Sequence, residues 1–376
     1  MYRIIYPIKD VTIRSQYPNQ NDGKDQILEI SKITNGSPSL DSQDESVYYQ
    51  STFNSRILMQ FDLTDISSSI SSGNINSTAK YYLVIKSIDS IALPISYSIF
   101  AYPVSGSWNG GRGYFNNNPK IVDGVSWNFK TSKLTGDLWL TSSYNMSSTG
   151  SFLTIPGGGN WFTSSVSSQS FNNESPDIRM EVTSIVRSWV SGSIPNSGFI
   201  IKLNDDLEQN SEVFGSLKLF SESSHTIFQP CLQVFWDDSD LSGTGSYNEI
   251  GSDNYTLWIK NLKETYSDQE KPRLRIGVRD KFVQQTYATS SNYLISQRLP
   301  TGSFYQIQDY KTDDVIVPFN DPGTLVNCDL GGNYIKMDMT SLSSERYYKI
   351  LFKSSFDGGE TIKVNDEQFI FKVGRN

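Results

Sequence analysis

The chain has 376 residues, of which 37% are hydrophobic, 13% aromatic and only 19% charged, and its 32 basic and 40 acidic residues give a net charge of −8. This aromatic and β-branched content excludes disorder, the length allows two or three domains each with its own core, and the lack of any basic stripe argues against a nucleic-acid partner. The acidity is uneven: residues 1–253 hold 16 basic against 25 acidic residues, while 254–376 hold 16 against 15. The first part is therefore repelled by anionic membranes and acidic glycans unless a cation intervenes.

In chain order, the opening "MYRIIYPIKDVTI" reads as strand. It lacks the basic, apolar and cleavage regions of a secretory signal, and no run approaches a membrane span, so synthesis in a cytoplasm is expected. "QILEISKI" follows a turn at Asp22-Gly23, residues 36–54 read as a polar insertion, and "SRILMQFDL" (55–63) is apolar enough for a core strand. "TAKYYLVIKSI" and "ISYSIFAYPV" come next, then a long irregular stretch, 105–175, rich in Trp, Gly and Ser. Loops of that length are usually functional or wrap another surface. Val182, Ile185, Val186 and Trp189 recur at helical spacing, which predicts one short helix over about 182–191, stopped at Gly192. Strands "FIIKL", "EVFGSLKLFS" and "PCLQVFWDD" complete a first domain at residue 238. The Ser/Gly/Asp-rich segment 239–253 reads as a linker, and 254–376 alternates over short strands such as "RLRIGVRD", the size of one β-sandwich. The expected fold is all-β: two β-sandwich domains in series, the first covered by the helix.

The chemistry available is narrow. His225 is the sole histidine, which excludes an H-E-x-x-H zinc site, and it sits in "SESSHTIFQP" with no Gly-x-Ser-x-Gly elbow in the chain. "GSWNGGRGYF" is glycine-rich but opens no helix after a strand, so it is no phosphate cradle. A carboxylate pair for glycoside hydrolysis is open to any chain with 40 acidic residues. The clusters Asn204-Asp205-Asp206 and Asp237-Asp238-Ser239-Asp240 could offer oxygens to Ca²⁺, but without EF-hand spacing they read as solvated turns, and no cofactor is expected. Cys231 and Cys328 read as two free, semi-buried thiols, and the Asn-X-Ser/Thr sequons as products of composition. Trp108, Tyr114, Phe115, Trp127, Trp139, Trp161 and Phe162 cluster in the loop-rich stretch, as core plugs, subunit contacts or a sugar-binding surface.

"SRILMQFDL", "STAKYYLVIKS", "GSWN", "EVTSIVRSWVSGSIPNSGFIIKL" and "FGSLKLFSESSHTIFQPCLQVFW" occur in that order. The sequence resembles the DNRLRE-type β-sandwich domain, a family that includes carbohydrate-binding modules and repeated domains of bacterial surface proteins. That resemblance covers roughly residues 1–238. "GSWNGGRG…VDGVSWNF", "GGGNWF", "SESSHTIFQP" and "GNYIKMDM…ERYYKI" are similar to virion structural proteins of T4-like tailed phages, over almost the whole chain. There the DNRLRE-type domain precedes a second β domain. The resemblance implies a virion protein assembled in the host cytoplasm, with other virion proteins as partners and a homo-oligomer or symmetric array as its state.

The leading expectation is thus a non-enzymatic component of the neck, tail, baseplate or fibre-attachment region, with no nucleic-acid or membrane partner. The alternative is a glycan-binding module contacting the host surface through Trp108, Trp127 or Trp161. A polysaccharide-degrading enzyme has least support. On either leading reading Val182, Ile185, Val186 and Trp189 pack the helix onto the core, and Arg187 faces solvent or a neighbour.

Overall fold

The computed structural model describes residues 1–40, 46–139, 157–172, 175–210, 212–282, 297–320 and 322–375, with backbone alone for 35–40 and 46–51. Up to the helix region the strands are β1 (Tyr2–Ile5), β2 (Pro7–Arg14), β3 (Ile27–Leu40), β4 (Ser46–Phe61), β5 (Lys80–Ile85), β6 (Ser87–Ile91), β7 (Ser96–Pro103), β8 (Ser167–Asn172) and β9 (Ile178–Glu181). Next come β10 (Phe199–Leu203), β11 (Gly215–Phe220), β12 (Cys231–Phe235), β13 (Asn248–Glu249), β14 (Tyr255–Ile259), β15 (Thr265–Ser267) and β16 (Arg273–Asp280). The last are β17 (Gln297–Arg298), β18 (Phe304–Asp309), β19 (Val315–Val317), β20 (Asn327–Asp329), β21 (Gly332–Lys336), β22 (Arg346–Phe356) and β23 (Thr361–Gly374). The α-helices among the described residues are α1 (Thr64–Ser71), α2 (Thr183–Val190) and α3 (Asp205–Gln209). The protein is all-β.

Two compact units emerge, and they interleave in sequence. One comprises Met1–Ile4, Ser69–Lys80 and Gln233–Asn376; the other comprises Ile5–Ser68 and Tyr81–Leu232. The division at 238 is therefore replaced by one that draws two early segments into the C-terminal unit. The segment 239–253 is not a free connector either. Asp240 N–H donates to Asn327 Oδ1 (2.6 Å), Gly243 N–H to the Cys328 carbonyl (2.9 Å), and Ile250 is 1% exposed. Its Ser, Gly and Asp residues make hydrogen-bonded turns on the unit's own strands, which composition alone does not separate from a linker.

The C-terminal unit packs two sheets face to face, ordered β14-β16-β21-β20 and β15-β23-β22-β18-β19. In β16, Leu274, Ile276 and Val278 are buried while arginines alternate with them, the period of a strand with one covered face. Tyr255 of β14 crosses between the sheets, its hydroxyl hydrogen-bonded to Asn365 Oδ1 (2.6 Å) and Ser354 Oγ (3.1 Å). Tyr305 of β18 does the same in reverse, donating to the Lys336 carbonyl of β21 (2.9 Å).

The other unit is built on an eight-stranded sheet, β6-β11-β3-β4-β10-β7-β8, with β2 also on β4. The insertion expected at 36–54 is a continuation of this ladder, since β3 and β4 pair antiparallel from Ser31↔Ser55 to Leu40↔Ser46. The long stretch after β7 likewise returns a strand, β8, to the sheet edge (Ser96↔Asn172 to Ala101↔Ser167). Residues 140–156 of that stretch lie outside the described residues.

All five residues of β10 are buried, because both faces of the sheet are covered there. On one face α2 lies against it, with the Trp189 and Phe199 rings 4.6 Å apart and edge-on, and Phe61 6.1 Å from Phe199. Val182, Ile185 and Val186 are each 0% exposed and Trp189 6%; each such aliphatic side chain contributes about 1.5–3 kcal/mol by leaving water. On the other face Ile200, with Leu58, Val11 and Ile13, meets Val104, Trp108, Val125, Trp127 and Trp139 from the loop-rich stretch. Alternation within "RILMQF" and "FIIKL" thus feeds two cores at once.

The sequence reading of one helix understates the helical content. α1 has a single buried residue, Ile66, in a serine-rich run, so no apolar stripe announces it. α3 is the acidic cluster Asn204-Asp205-Asp206: Asn204 is its N-cap, accepting from Leu207 N–H at 2.7 Å, and its carboxylates occupy a first turn, where the helix dipole favours them.

Candidate functional site

The loop layer on the outer face of β2, β4 and β10 gathers most of the sequence-selected residues, and Asn21 is its anchor. The side chain is fully buried and uses all its hydrogen-bonding capacity. Its Nδ2 donates to the Gly110 and Val125 carbonyls (both 2.8 Å), and its Oδ1 accepts from Gly113 N–H (2.9 Å) and Gly23 N–H (3.2 Å). The glycines of "GSWNGGRGYF" exist to let the backbone close on this amide. A Cβ at Gly113 would stand 1.9 Å from the Asn21 carbonyl oxygen, and one at Gly124, where φ is +112°, 2.6 Å from Asn21 Nδ2.

The layer points its tryptophans inward. Trp108, Trp127 and Trp139 are 3%, 4% and 2% exposed. Trp108 Nε1–H donates to the Ser197 carbonyl (2.8 Å) and Trp139 Nε1–H to the Ser126 carbonyl (3.0 Å). The reading of these three as surface contacts for glycan or partner is corrected: they fill the core over β4 and β10, and the polar ends of Trp108 and Trp139 are spent on backbone. Trp161 is half-buried beside Tyr102, bridged to Val104, and Phe162 is half-buried with its N–H on the Pro103 carbonyl.

Beneath Trp127 and Trp161 lies a closed ion cluster. Arg56 of β4 holds Glu208 of α3 bidentately (Nε–Oε1 3.0 Å, Nη2–Oε2 2.7 Å) and donates to the Gly158 carbonyl at 2.5 Å. Lys202 of β10, with a 0% exposed side chain, bonds Glu208 Oε2 at 2.9 Å and also Asp205. The guanidinium stands 4.9 Å from the Trp127 ring and 5.1 Å from that of Trp161, and the Lys202 ammonium 5.1 Å from Trp161. With the Glu208 side chain 4% exposed, this cluster is closed to a substrate; it fastens α3 and the loop layer to the sheet. Lys32 adds a second tie from β3 to the end of α3, donating to the Asn210 carbonyl (2.6 Å) and to the Leu207 carbonyl. Burial lowers its pKa.

The surface of the layer is different. Tyr114 is 48% exposed and Tyr17 37%, and Phe115, next to Tyr114 in sequence, is half-buried. The Tyr17 and Phe115 rings meet edge-on at 5.7 Å, and Lys120 lies over both, 5.6 and 5.1 Å from their centroids. On the inner side Arg14 sits 4.5 Å from Phe115 and is paired with Asp22 and Glu29. Of the seven aromatic residues singled out by sequence, Phe115 meets Tyr17, which was not selected, and Tyr114 beside it in sequence is exposed.

The remaining candidates are structural in placement. His225 is exposed, with φ +53°, at the end of a 3₁₀ turn. Asp237 Oδ1 accepts from Ser239 N–H (2.9 Å), Asp240 Oδ1 from Ser242 N–H (3.1 Å), and Asp238 pairs with Lys336 (2.6 Å). Arg187 is exposed. Cys231 and Cys328 are buried and free, and burial pushes the Cys231 thiol up to about 12. Among the described residues no group of three His, Cys, Asp or Glu side chains stands close enough to hold a metal ion, and no helix is long and apolar enough to cross a membrane. Comparison with protein-family models and with curated proteins finds no match.

Proposed function

We propose that the chain is a non-enzymatic structural component of a tailed-phage virion, in the neck, tail, baseplate or fibre-attachment region, and that it works through protein–protein contacts. One observation supports the reading beyond the sequence resemblance: the described residues of the loop-rich stretch form a tied-down layer. Trp108, Trp127 and Trp139 are buried in it, the Glu208 carboxylate of α3 is buried beneath it, and its outer surface carries Tyr17, Tyr114 and Lys120. Exposed aromatic residues are enriched in protein–protein interfaces, while a lysine such as Lys120 belongs to the polar rim. The partners are other virion proteins, with copies of the chain in a ring or array.

Cryo-EM of the intact particle tests this. The expected result is the chain as a repeated, symmetric element whose Tyr17–Tyr114 surface is covered by another protein. A purified chain that stays monomeric and binds no other virion protein would overturn it. A distal position with that surface open to solvent would instead favour the host-glycan reading, now resting on Tyr17, Tyr114 and Phe115.

A further inference from the structure

On the face opposite the loop layer, beside α2, a cleft of about 400 Å³ opens at the end of β4. Ile8, Phe61, Leu63 and Trp189 supply its apolar surface, while Gln60, Asp62, Thr64 and Asn196 supply its polar groups. Its volume falls within the range of ligand sites. Ile8, at the rim, is 58% exposed among the described residues.

The polar groups are not equal. Gln60 Nε2 donates to the Asn196 carbonyl (2.8 Å) and Asn196 Nδ2 to the Phe61 carbonyl (2.9 Å), so both amides brace the walls. Asp62 Oδ1 is taken by Thr64, through its N–H (2.9 Å) and its hydroxyl (2.6 Å). Among the described residues Asp62 Oδ2 has no partner, and no Lys, Arg or His lines the cleft. The Trp189 indole N–H is buried and likewise has no acceptor. The cleft thus combines a negative charge with one free oxygen and an apolar wall that includes the Trp189 ring.

We infer that this cleft seats a lysine side chain from a neighbouring polypeptide, its aliphatic stem along Ile8, Leu63 and Trp189 and its ammonium at Asp62 Oδ2. A single free oxygen suits a point charge rather than the two-pronged guanidinium of arginine. The stem gains from apolar wall while the head remains at the wet rim. The excess of acidic over basic residues in 1–253 favours a basic partner in the same sense. The inference rests on the assembly reading for its biological meaning, but its test does not.

The full chain, ¹⁵N-labelled at its seven tryptophans, is titrated with N-acetyl-lysine methylamide, and the Trp189 Nε1–H resonance, assigned by its loss in Trp189→Phe, is followed. N-acetyl-norleucine methylamide is the uncharged control. The expected result is a saturable shift of that resonance by the lysine probe, with the norleucine probe weaker by about two- to fivefold, the range of an exposed ion pair. Asp62→Asn, at an exposed position where the amide oxygen still accepts from Thr64, brings the lysine probe down to the norleucine value. No shift up to the solubility limit of the probe, or equal shifts by both probes in the unsubstituted chain, would overturn the inference. Either failure leaves the position of the chain on the particle unaffected, and absence from the particle leaves this titration unaffected.

Discussion

Replacing Asn21 by leucine keeps the side-chain volume but removes the four hydrogen bonds that its amide makes at the turn after β2. Four backbone groups lose their partner: the carbonyls of Gly110 and Val125 and the N–H groups of Gly23 and Gly113. At about 1 kcal/mol for each bond lost, the substitution costs about 4 kcal/mol, and more if water cannot reach the stranded groups. Asn21→Asp retains the two accepting bonds and loses the two donating ones, so it should cost at least about half as much before any charge burial is added. Urea unfolding followed by tryptophan fluorescence suits the question, because Trp108, Trp127 and Trp139 all sit in this layer. Limited proteolysis should in parallel cut within 108–125 sooner. A leucine variant within about 1 kcal/mol of the parent, with the same proteolytic pattern, would refute the view that one amide fastens these loops.

Asp10 provides a pH test. Burial raises its pKa to about 7, against the hydrogen bond it accepts from Glu222 N–H (2.7 Å) and the attraction of Lys24, while the Glu222 carboxylate adds to the rise. The folded state therefore holds this proton more tightly than the unfolded chain. Stability from this group is greatest below the unfolded value near 4 and falls as pH rises towards 7, by an amount on the order of 4 kcal/mol. Asp10→Asn should flatten that fall in denaturation curves from pH 4 to 8 and be the more stable form at pH 8; an unchanged slope would show that Asp10 is not its source. Arg56→Met should cost about 3–5 kcal/mol, because it leaves Glu208 buried with Lys202 alone, and the double variant with Glu208→Gln should lose less than the two singles together; strict additivity in chemical denaturation would argue that the two do not act as a pair. Cys231 should resist alkylation in the native chain, its thiol being buried and pushed up to about 12, and both cysteines should titrate at once in denaturant; rapid native labelling of Cys231 would contradict its burial.

The parts legible in the sequence are those where one period of alternation meets one covered face. Leu274, Ile276 and Val278 in β16, and the helical spacing of Ile185, Val186 and Trp189, are of this kind. Illegible were features that depend on who meets whom. A lysine inside "FIIKL" reads as a solvent-facing residue, yet Lys202 is fully buried because α3 brings Asp205 and Glu208 over it. Asn21 reads as a turn residue beside Asp22-Gly23; only the return of the chain ninety residues later, through Gly110 and Gly113, shows its role. The tryptophans were legible as a cluster, but their direction was not, since loops carry no periodicity that tells inside from outside.

In the C-terminal unit, the N–H of Ile4 donates to Ser341 Oγ at 3.1 Å, across 337 positions of sequence. Segments Met1–Ile4 and Ser69–Lys80 are likewise drawn into a unit that otherwise begins at Gln233. Contacts of such separation close late, because loop entropy must be met before they return anything, and they set a slow step in folding. During synthesis β1 stays without its sheet neighbour β12 until residues 231–235 have been made, and without Ser341 until later still. No single cut in the chain releases this unit whole, because it is assembled from three separate stretches of sequence.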